Sequence, residues 1–414
     1  MKKLIFLMFL TLIVACKIQP KTASNKMPDD VTFLASDALE GRQTGTKGEE
    51  LALEYITKRF QEIGLEPKGT SDYLQPFSFK PKTDPHKEVE FVTNTDGTIT
   101  GHNVIGYLNN DASKTIVIGA HYDHLGFGGD GSLYRGDDKS VHNGADDNAS
   151  GVAVLLHLAE RLKVKKDNAE TKDQNNYLFM AFSGEEMGLL GSNYFSKNPT
   201  IDAQSINYMI NMDMVGRMKA DSTLAVYGTG TSPMFKQVLG AHNENFKLIE
   251  NESGVGPSDH TSFYLIDVPV LHFFTGQHED YHKPSDDSEK LNYEGMKLIS
   301  DYIFNVISDL DDNGELAFRK TKNESEETPR FKVGLGVVPD YLFDGEGMRI
   351  DGTREDTPAV NAGLQKGDIV IKLGDSTIVD MMSYMRALSV FNEGDETSIS
   401  VKRGDSLIST KVKF

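Results

Sequence analysis

The amino-acid sequence predicts an α/β fold with a largely parallel sheet, followed by a second and smaller unit. Residues 27 to about 312 alternate apolar, strand-like runs with helical stretches, the order that builds parallel sheets. Residues 313–330 are polar and strongly charged, a composition typical of linkers. Residues 331–414 remain as the second unit, and a length of 414 residues accommodates two or three domains.

Individual elements of the large unit are also predicted. Residues 49–63 carry apolar side chains at helical spacing, and Gly64 follows as a C-cap. Residues 150–162 show helical spacing as well. Four apolar runs have the length and composition of buried strands. They are residues 115–120, 177–182, 208–212 and 268–274.

Composition and charge exclude several classes of function. Lys and Arg number 43 against 62 for Asp and Glu, a net charge of -19. Such an acidic surface repels phosphate backbones, which excludes sequence-independent nucleic-acid binding. The single cysteine excludes an intrachain disulfide and cysteine-rich zinc modules. Any metal ion must therefore be held by His, Asp and Glu.

The N-terminus has the features of a targeting segment. Lys2 and Lys3 precede an almost entirely apolar stretch at residues 4–15, which suits a signal peptide and is short for a membrane span. The stretch ends in IVAC, which resembles a bacterial lipoprotein cleavage site with Cys16 as the lipid-modified residue. We predict a signal peptide at 1–16 and a polar tether at 17–26. The protein would then be lipid-anchored in the cell envelope, on the periplasmic face of the outer membrane. Surface display and an ordinary secretory signal are the alternatives.

Polar residues cluster where the predicted strands end. Ligands bind at the carboxyl ends of strands in open α/β sheets, so these side chains are expected to converge. Three carboxylates and two imidazoles suit zinc or another divalent transition ion, and two cations that share a carboxylate activate a bridging water. One further carboxylate is needed as a general base. The residues are His121 and Asp123, Asp146 and Asp147, Glu185 and Glu186, Asp213, and His282.

Each of these features is weak by itself. Adjacent glutamates after a strand are usually a solvated helix start, and Asp146-Asp147 before a helix is usually an N-cap. Their occurrence together, in a consistent order at successive strand ends, is what predicts a metal site.

The motifs resemble those of the zinc aminopeptidases, a family with glutamate carboxypeptidase-like and transferrin-receptor-like members. The motifs are HYDHLG, NGADDNASGVAVLLHLAERL, FSGEEMGLLGS, NMDMVGR and YHKPSDD. The segment FLASDALEGRQTGTKGEELALEYITKRFQEIGLEP is similar to the entry segment of bacterial members. The resemblance covers most of residues 30–312 and implies a zinc exopeptidase fold over residues 27–312.

The resemblance implies two zinc ions, for which Co²⁺ and Mn²⁺ are alternatives. Asp146 would bridge both ions, through an Asp146–Asp147 peptide that is cis in relatives. His121 and Asp213 would complete one site. Glu186 and His282 would complete the other.

Further roles follow from the same resemblance. Glu185 would be the general base and acid. Asp123 would orient His121, and Asp286 would do the same for His282. Tyr281 would hydrogen-bond the developing oxyanion, or simply pack in its loop. The stretch 258–260 would support the site, and the histidines outside this set, including those at 124 and 142, are interpreted as surface or packed residues.

Residues 331–414 resemble PDZ domains of bacterial proteases, which implies a mainly-β fold. The resemblance lies in the sequences GLG at 334–336, AGL at 362–364 and KGDIV at 366–370. The glycine-rich loop would bind the C-terminus of a peptide or protein, and an adjoining strand would pair with it. The alternative is a structural cap on the peptidase.

We therefore expect a zinc-dependent aminopeptidase that removes N-terminal residues from peptides with free N-termini. One alternative keeps the metal chemistry and changes the reaction, to a carboxypeptidase, a glutaminyl cyclase or an amidohydrolase. The other alternative is a non-enzymatic scaffold that acts through its PDZ domain.

Overall fold

The structure is a computed structural model that describes residues 22–81, 91–92, 97–129, 131–134, 136, 138–168, 173–321, 333–340, 343, 345–354 and 357–414. The predicted signal peptide, Cys16 and the first part of the tether lie outside the described residues. In the described part of the chain, every helix is too short or too polar to cross a membrane.

Helices and strands alternate along the chain. The helices are α1 (Met27–Leu34), α2 (Lys47–Ile63), α3 (Gly151–Asn168), α4 (Leu190–Lys197), α5 (Phe235–His242), α6 (His260–Tyr264), α7 (Tyr293–Asp311), α8 (Pro358–Asn361) and α9 (Met381–Ser389). The strands are β1 (Glu66–Pro67), β2 (Leu74–Phe79), β3 (Ile99–Leu108), β4 (Lys114–His121), β5 (Asn175–Phe182), β6 (Ile206–Met212), β7 (Thr223–Tyr227), β8 (Lys247–Asn251), β9 (Val270–Phe274), β10 (Val337–Pro339), β11 (Met348–Thr353), β12 (Ile369–Leu373), β13 (Ser376–Thr377), β14 (Glu396–Arg403) and β15 (Ser406–Lys413).

The large sheet has the order β1-β3-β5-β4-β6-β9-β7-β8, and β2 pairs with β3. Its centre, β5-β4-β6-β9, is parallel. The flanking strands β3 and β7 run antiparallel to their inner neighbours β5 and β9. The four predicted strands are β4, β5, β6 and β9, so the predicted α/β class with a mostly parallel central sheet is confirmed. The parallel centre brings the ends of these strands to one edge of the sheet.

Side chains of the central strands alternate between two hydrophobic layers, as the period of a strand requires. On β4, Ile116 and Ile118 belong to the hydrophobic cluster that includes side chains of α1, α2, α3 and α7, whereas Val117 belongs to the cluster of the opposite face, with Phe195 and Phe263. Both faces are therefore covered, which explains why these strands are continuous apolar runs in the sequence.

Helix α2 confirms the prediction for residues 49–63. Its N-cap is Thr46, whose side chain accepts a hydrogen bond from the backbone N–H of Glu49. Gly64 ends the helix in the left-handed conformation, with φ 86°. A residue without Cβ adopts that conformation at little cost, so the glycine fixes where the helix stops.

The second unit is a separate antiparallel sheet of order β10-β11-β12-β14-β15, with β13 paired to β12. Leu335, Ile350, Val370 and Ile399 form its core, on which α9 packs through Leu388. The mainly-β fold expected for residues 331–414 is thus confirmed.

The first part of the predicted linker packs on the large domain. Leu316 is buried, and its backbone N–H donates to Asn207 Oδ1 at 2.8 Å. The Phe318 ring lies 5.3 Å from that of Tyr264. These contacts hold Leu316 and Phe318 against the large domain. Residues 322–330 lie outside the described part of the chain.

Candidate metal centre

The end of β4 places His121 among carboxylates. The His121 side chain is buried, and its Nε2 lies 3.3 Å from Asp147 Oδ1 and 3.4 Å from Asp213 Oδ1. On the other side of the ring, Nδ1 lies 3.2 Å from the backbone oxygen of Asp123 and 3.7 Å from its carboxylate. The hydrogen bond to the ring is therefore made by the backbone carbonyl of Asp123, whereas its carboxylate, which was expected to accept it, lies farther away.

A second group of ligand-type side chains adjoins the first. His282 Nε2 lies 3.1 Å from Asp147 Oδ2 and 3.2 Å from Glu186 Oε2. His124 Nδ1 lies 2.7 Å from Glu186 Oε1 and 3.9 Å from Asp147 Oδ2. Asp147 thus presents one carboxylate oxygen to each group.

Asp146 was expected to lie between the two groups. The structure places Asp147 there instead. The Asp146 carboxylate turns away from His121 and His282. Its Oδ1 accepts from the Gly216 backbone N–H at 2.6 Å, and its Oδ2 lies 3.1 Å from His278 Nε2. The cis peptide bond also lies one residue later than expected, between Asp147 and Asn148.

The Asp286 carboxylate supports the backbone of the turn that carries Asp147, whereas it was expected to orient the His282 ring. Its Oδ2 accepts from the backbone N–H of Asp146 at 2.9 Å and of Asp147 at 3.1 Å. His282 Nδ1 lies 2.8 Å from the Gly131 carbonyl oxygen. The expectation that Asp286 orients the His282 ring is therefore corrected, because its carboxylate fixes the backbone that carries Asp147.

The residues present fit a metal ion. In each of two groups, one ligand atom per residue lies within 4.8 Å of the others. The groups are His121, Asp147 and Asp213, and His124, Asp147 and Glu186. In the described structure, His121 Nε2 is buried without a hydrogen-bond partner although it faces two carboxylates. Imidazole nitrogens and carboxylate oxygens directed at one point are the donor set that zinc prefers.

The two adjacent glutamates experience opposite electrostatic effects. Burial raises the pKa of Glu185 well above its usual range. Burial acts in the same direction on Glu186, but the charges of His282 and His124 and the hydrogen bond with His124 together lower the pKa of Glu186 to about 2. A carboxylate with increased proton affinity suits proton transfer, whereas a strongly acidic one suits metal ligation.

A cleft opens directly onto these groups. Glu185 lines it together with Asp147, Glu186, Asp213 and His282. The rest of its wall is less polar and consists of Met214, Pro257, His272, Phe274, Gln277 and Tyr281. A molecule in this cleft can reach Asp147, Glu185 and Glu186 at the same time.

Tyr281 lies at the wall of the cleft beside a ligand-type residue. Its ring stacks on that of His282 with 3.8 Å between centroids. The structure thus brings Tyr281 to the wall of the cleft.

Sequence reasoning assigned His124 no role, yet the structure places it in the second group. The available signal was its position three residues after His121 in the same loop. The stretch 258–260 also lies at the site, as expected. Asp259 is fully buried, burial raises its pKa to about 7, and it interacts electrostatically with His121 and Asp213.

The candidate peptide site of the second unit is a loop followed by an edge strand. Gly336 in this loop has φ 73°, and its carbonyl accepts from the Arg354 backbone N–H at 2.8 Å. The loop leads into β10, which among the described residues pairs only with β11. A strand with one open edge is the element that peptide addition needs.

Comparison with known proteins identifies both domains. Residues 103–307 match the model for peptidase family M28. The first domain is therefore similar to this family. Residues 318–414 match the model for the PDZ domain. The expected zinc aminopeptidase family and PDZ domain are thereby confirmed.

Curated relatives match about half of the chain. The chain is 30% identical over 203 residues to the alkaline phosphatase isozyme conversion protein of Escherichia coli (strain K12), covering 48% of this chain and 54% of that protein. It is 27% identical over 220 residues to aminopeptidase YwaD of Bacillus subtilis (strain 168), covering 49% and 43%. The chain therefore spans about half the length of the curated relatives it matches.

Solved structures share the M28 fold. A zinc aminopeptidase from Bacillus subtilis, BSAP, aligns with a TM-score of 0.54 and 17% identity, over 72% of this chain and 97% of that one. Porphyromonas gingivalis glutaminyl cyclase aligns with a TM-score of 0.55 and 17% identity, over 70% and 99%. Because differently named enzymes share the fold, the fold by itself does not select the reaction.

Proposed function

We propose that this protein is a zinc-dependent aminopeptidase that releases N-terminal amino acids from peptides. The observation that carries the proposal is Glu185, a half-buried carboxylate that lines the cleft beside two ligand groups joined by Asp147. A hydrolase needs one such carboxylate in addition to its ligands. The match to family M28 and the aminopeptidase among the relatives support the same reaction.

We assign His121, Asp147 and Asp213 to one zinc ion, and Asp147, Glu186 and His282 to a second. His282 is preferred over His124 because its Nε2 lies within 3.2 Å of both Glu186 and Asp147, whereas His124 is 3.9 Å from Asp147. When bound, zinc ions lower the pKa of a coordinated water and polarise a carbonyl group.

The residues of the chain supply the remaining chemistry. Glu185 takes a proton from the attacking water and delivers it to the nitrogen of the leaving amine. The Tyr281 phenol donates a hydrogen bond to the oxygen of the scissile carbonyl as negative charge develops there. The carboxylates around the cleft attract the protonated α-amino group of the substrate, which explains a requirement for an unblocked N-terminus.

Product analysis tests this function. Purified protein lacking residues 1–16 is incubated with zinc and with peptides that are either N-terminally unblocked or N-acetylated, and products are read by mass spectrometry. We expect stepwise loss of N-terminal residues from unblocked peptides only. Loss of ammonia from peptides that begin with glutamine, without chain shortening, would instead indicate a cyclase. Release of residues from the C-terminus would indicate a carboxypeptidase.

Exchange of Tyr281 for phenylalanine tests its role at the oxyanion. The Tyr281→Phe variant keeps the ring that stacks on His282 and removes only the hydroxyl. We expect kcat to fall about 10²-fold, the lower end of what loss of an oxyanion donor costs, with KM nearly constant. Steady-state kinetics on one dipeptide amide measure both constants. An unchanged kcat would mean that the tyrosine only packs in its loop.

The preference for His282 over His124 as a ligand is also testable. We expect His282→Ala to lose one of two bound zinc ions, because it removes the imidazole whose Nε2 lies within 3.2 Å of both Asp147 and Glu186. His124→Ala should retain two ions with lowered affinity for one, because His124 contacts Glu186 at 2.7 Å but lies 3.9 Å from Asp147. Zinc content after dialysis measures the difference. Loss of an ion only in His124→Ala would reverse the assignment.

We further propose that the enzyme is anchored in the cell envelope through a lipid on Cys16 and that its PDZ domain binds peptide or protein C-termini. The lipoprotein-like sequence at residues 13–16 supports the first proposal, and the loop preceding the open edge of β10 supports the second. A Cys16→Ser variant should move from the membrane fraction to the soluble fraction. Peptides with an unblocked C-terminal carboxylate should bind more tightly than their amides. Failure of either result would refute the corresponding proposal.

A further inference from the structure

A buried arginine outside the matched M28 residues joins two ligand-bearing loops. Arg42 is 1% exposed, and its guanidinium donates to the backbone oxygens of Tyr122 at 2.8 Å, Asn143 at 2.6 Å and Gly144 at 3.0 Å. A further donor reaches the carbonyl of Leu34. Tyr122 directly follows a ligand, His121, whereas Asn143 and Gly144 lead into the turn that carries Asp147. One planar side chain therefore fixes the spacing of two loops, using most of its five N–H donors.

Thr44 extends these contacts to the loop of the two glutamates. Its hydroxyl lies 3.3 Å from Asp123 Oδ2 and 3.1 Å from Ser183 Oγ. The same Asp123 carboxylate accepts from the backbone N–H groups of Glu185 and Glu186, at 3.1 and 3.4 Å. Through Asp123, Thr44 is thus connected to the backbone of Glu185, the proposed general base, and of Glu186, a proposed ligand.

Glu49, in the first turn of α2, forms hydrogen bonds to residues of both loops. Its Oε1 accepts from Ser183 Oγ at 2.6 Å and from the Tyr122 hydroxyl at 3.1 Å. It also accepts from the His102 backbone N–H at 3.1 Å. The loop after β4 and the loop after β5 are therefore joined through one buried side chain.

The charge of Arg42 has a role in addition to its hydrogen bonds. Burial lowers the pKa of Arg42 to about 10, so the guanidinium stays protonated at neutral pH. The carboxylates of Asp123, Asp147, Asp286 and Glu186 oppose this shift and attract the cation. A fixed positive charge behind the site reduces the repulsion among carboxylates that the fold crowds together.

We propose that Arg42, Thr44 and Glu49, the N-terminal clamp, are positioning residues that hold the ligand loops in the geometry required to bind zinc. The inference rests on the proposed zinc-dependent function. It concerns residues outside 103–307, which the family match does not include. Helix α2 and the segment before it thus support the candidate site, although none of the three side chains is assigned to a metal ion or to substrate.

Thr44→Val is the sharpest test because it removes two hydrogen bonds and hardly changes the shape of the side chain. Zinc affinity is measured on the full chain by competition with a chromophoric chelator, alongside kcat, KM and the melting temperature. We expect zinc affinity and kcat to fall about 10- to 100-fold, as loss of supporting residues typically causes, with KM nearly constant. Thr44→Ser restores the hydroxyl and should recover both quantities.

Two matched controls separate positioning from general loosening of the fold. Thr231→Val removes a buried hydroxyl that bonds the carbonyls of Gly228 and Val270 in the same domain. Arg59→Lys alters a buried arginine that pairs with Asp30, and Arg42→Lys makes the same exchange in the N-terminal clamp. Zinc affinity should fall in Thr44→Val and Arg42→Lys and stay at the wild-type value in both controls.

The results that would contradict this inference alone differ from those that would also contradict the proposed function. Wild-type zinc affinity in Thr44→Val, or an equal loss in Thr231→Val, would overturn the inference while the proposed function stands. Absence of zinc binding and of peptide hydrolysis in the unmodified protein would overturn the proposed function, and the inference with it.

Discussion

Glu185→Gln is expected to lower kcat by about 10²- to 10⁴-fold, the contribution that a positioned acid–base group typically makes. Glutamine keeps the shape and much of the polarity of the side chain but cannot take a proton from water. Because Glu185 is not assigned to either zinc ion, bound zinc and KM should stay close to the values of the unmodified enzyme. Steady-state kinetics and zinc content on the same preparations measure these quantities.

The neighbouring residue provides the matched comparison. Glu186→Gln alters the side chain that contacts His124 at 2.7 Å and His282 at 3.2 Å. We expect this variant to lose zinc from the second position, and activity as a consequence. If Glu185→Gln loses zinc while Glu186→Gln retains it, the roles of the two glutamates are exchanged. If Glu185→Gln keeps full activity with zinc bound, the proposed mechanism is wrong.

Asp147→Asn is expected to have an equally large effect through a different cause. The substitution alters the one carboxylate that faces both groups, at 3.3 Å from His121 and 3.1 Å from His282. Loss of a supporting residue around a metal costs up to about 100-fold in affinity. Loss of a shared ligand should cost more, so zinc content should fall below one ion per chain and activity should disappear.

Asp146→Asn is the control, because it makes the same chemical change one residue earlier. An asparagine at 146 keeps an oxygen that can accept from the Gly216 backbone N–H and loses the charge that faces His278. We expect two bound zinc ions and measurable hydrolysis. The opposite pattern, with zinc retained in Asp147→Asn and lost in Asp146→Asn, would show that Asp146 bridges after all.

The sequence predicted the centre of the large sheet better than its flanks. Strands β4, β5, β6 and β9 are buried on both faces, so each is a continuous apolar run. Strand β3 includes Gly101, His102 and Asn103, and β8 is partly exposed along its length. Neither pattern is distinctive in a single sequence, because pairing with neighbouring strands determines such elements more than local composition does.

The candidate site, like the sheet, was predicted from the sequence only in part. His121, Glu186, Asp213 and His282 were predicted from strand ends and motifs, and the structure places them together. The choice between Asp146 and Asp147 was not accessible from the sequence, because adjacent aspartates offer the same chemistry. The backbone of the turn Ala145–Ser150, held by Asp286 from a distant part of the chain, decides which carboxylate faces the ligands. The contacts of Arg42 likewise depend on loops that are remote in sequence.

Anomalous X-ray diffraction at the zinc edge, from crystals grown with zinc, tests the central claim most directly. The account predicts two peaks on either side of the Asp147 carboxylate. One peak should lie within ligand distance of His121 and Asp213, and the other within ligand distance of Glu186 and His282. A single peak, or a peak between Asp146 and His278, would contradict the two-zinc centre that shares Asp147.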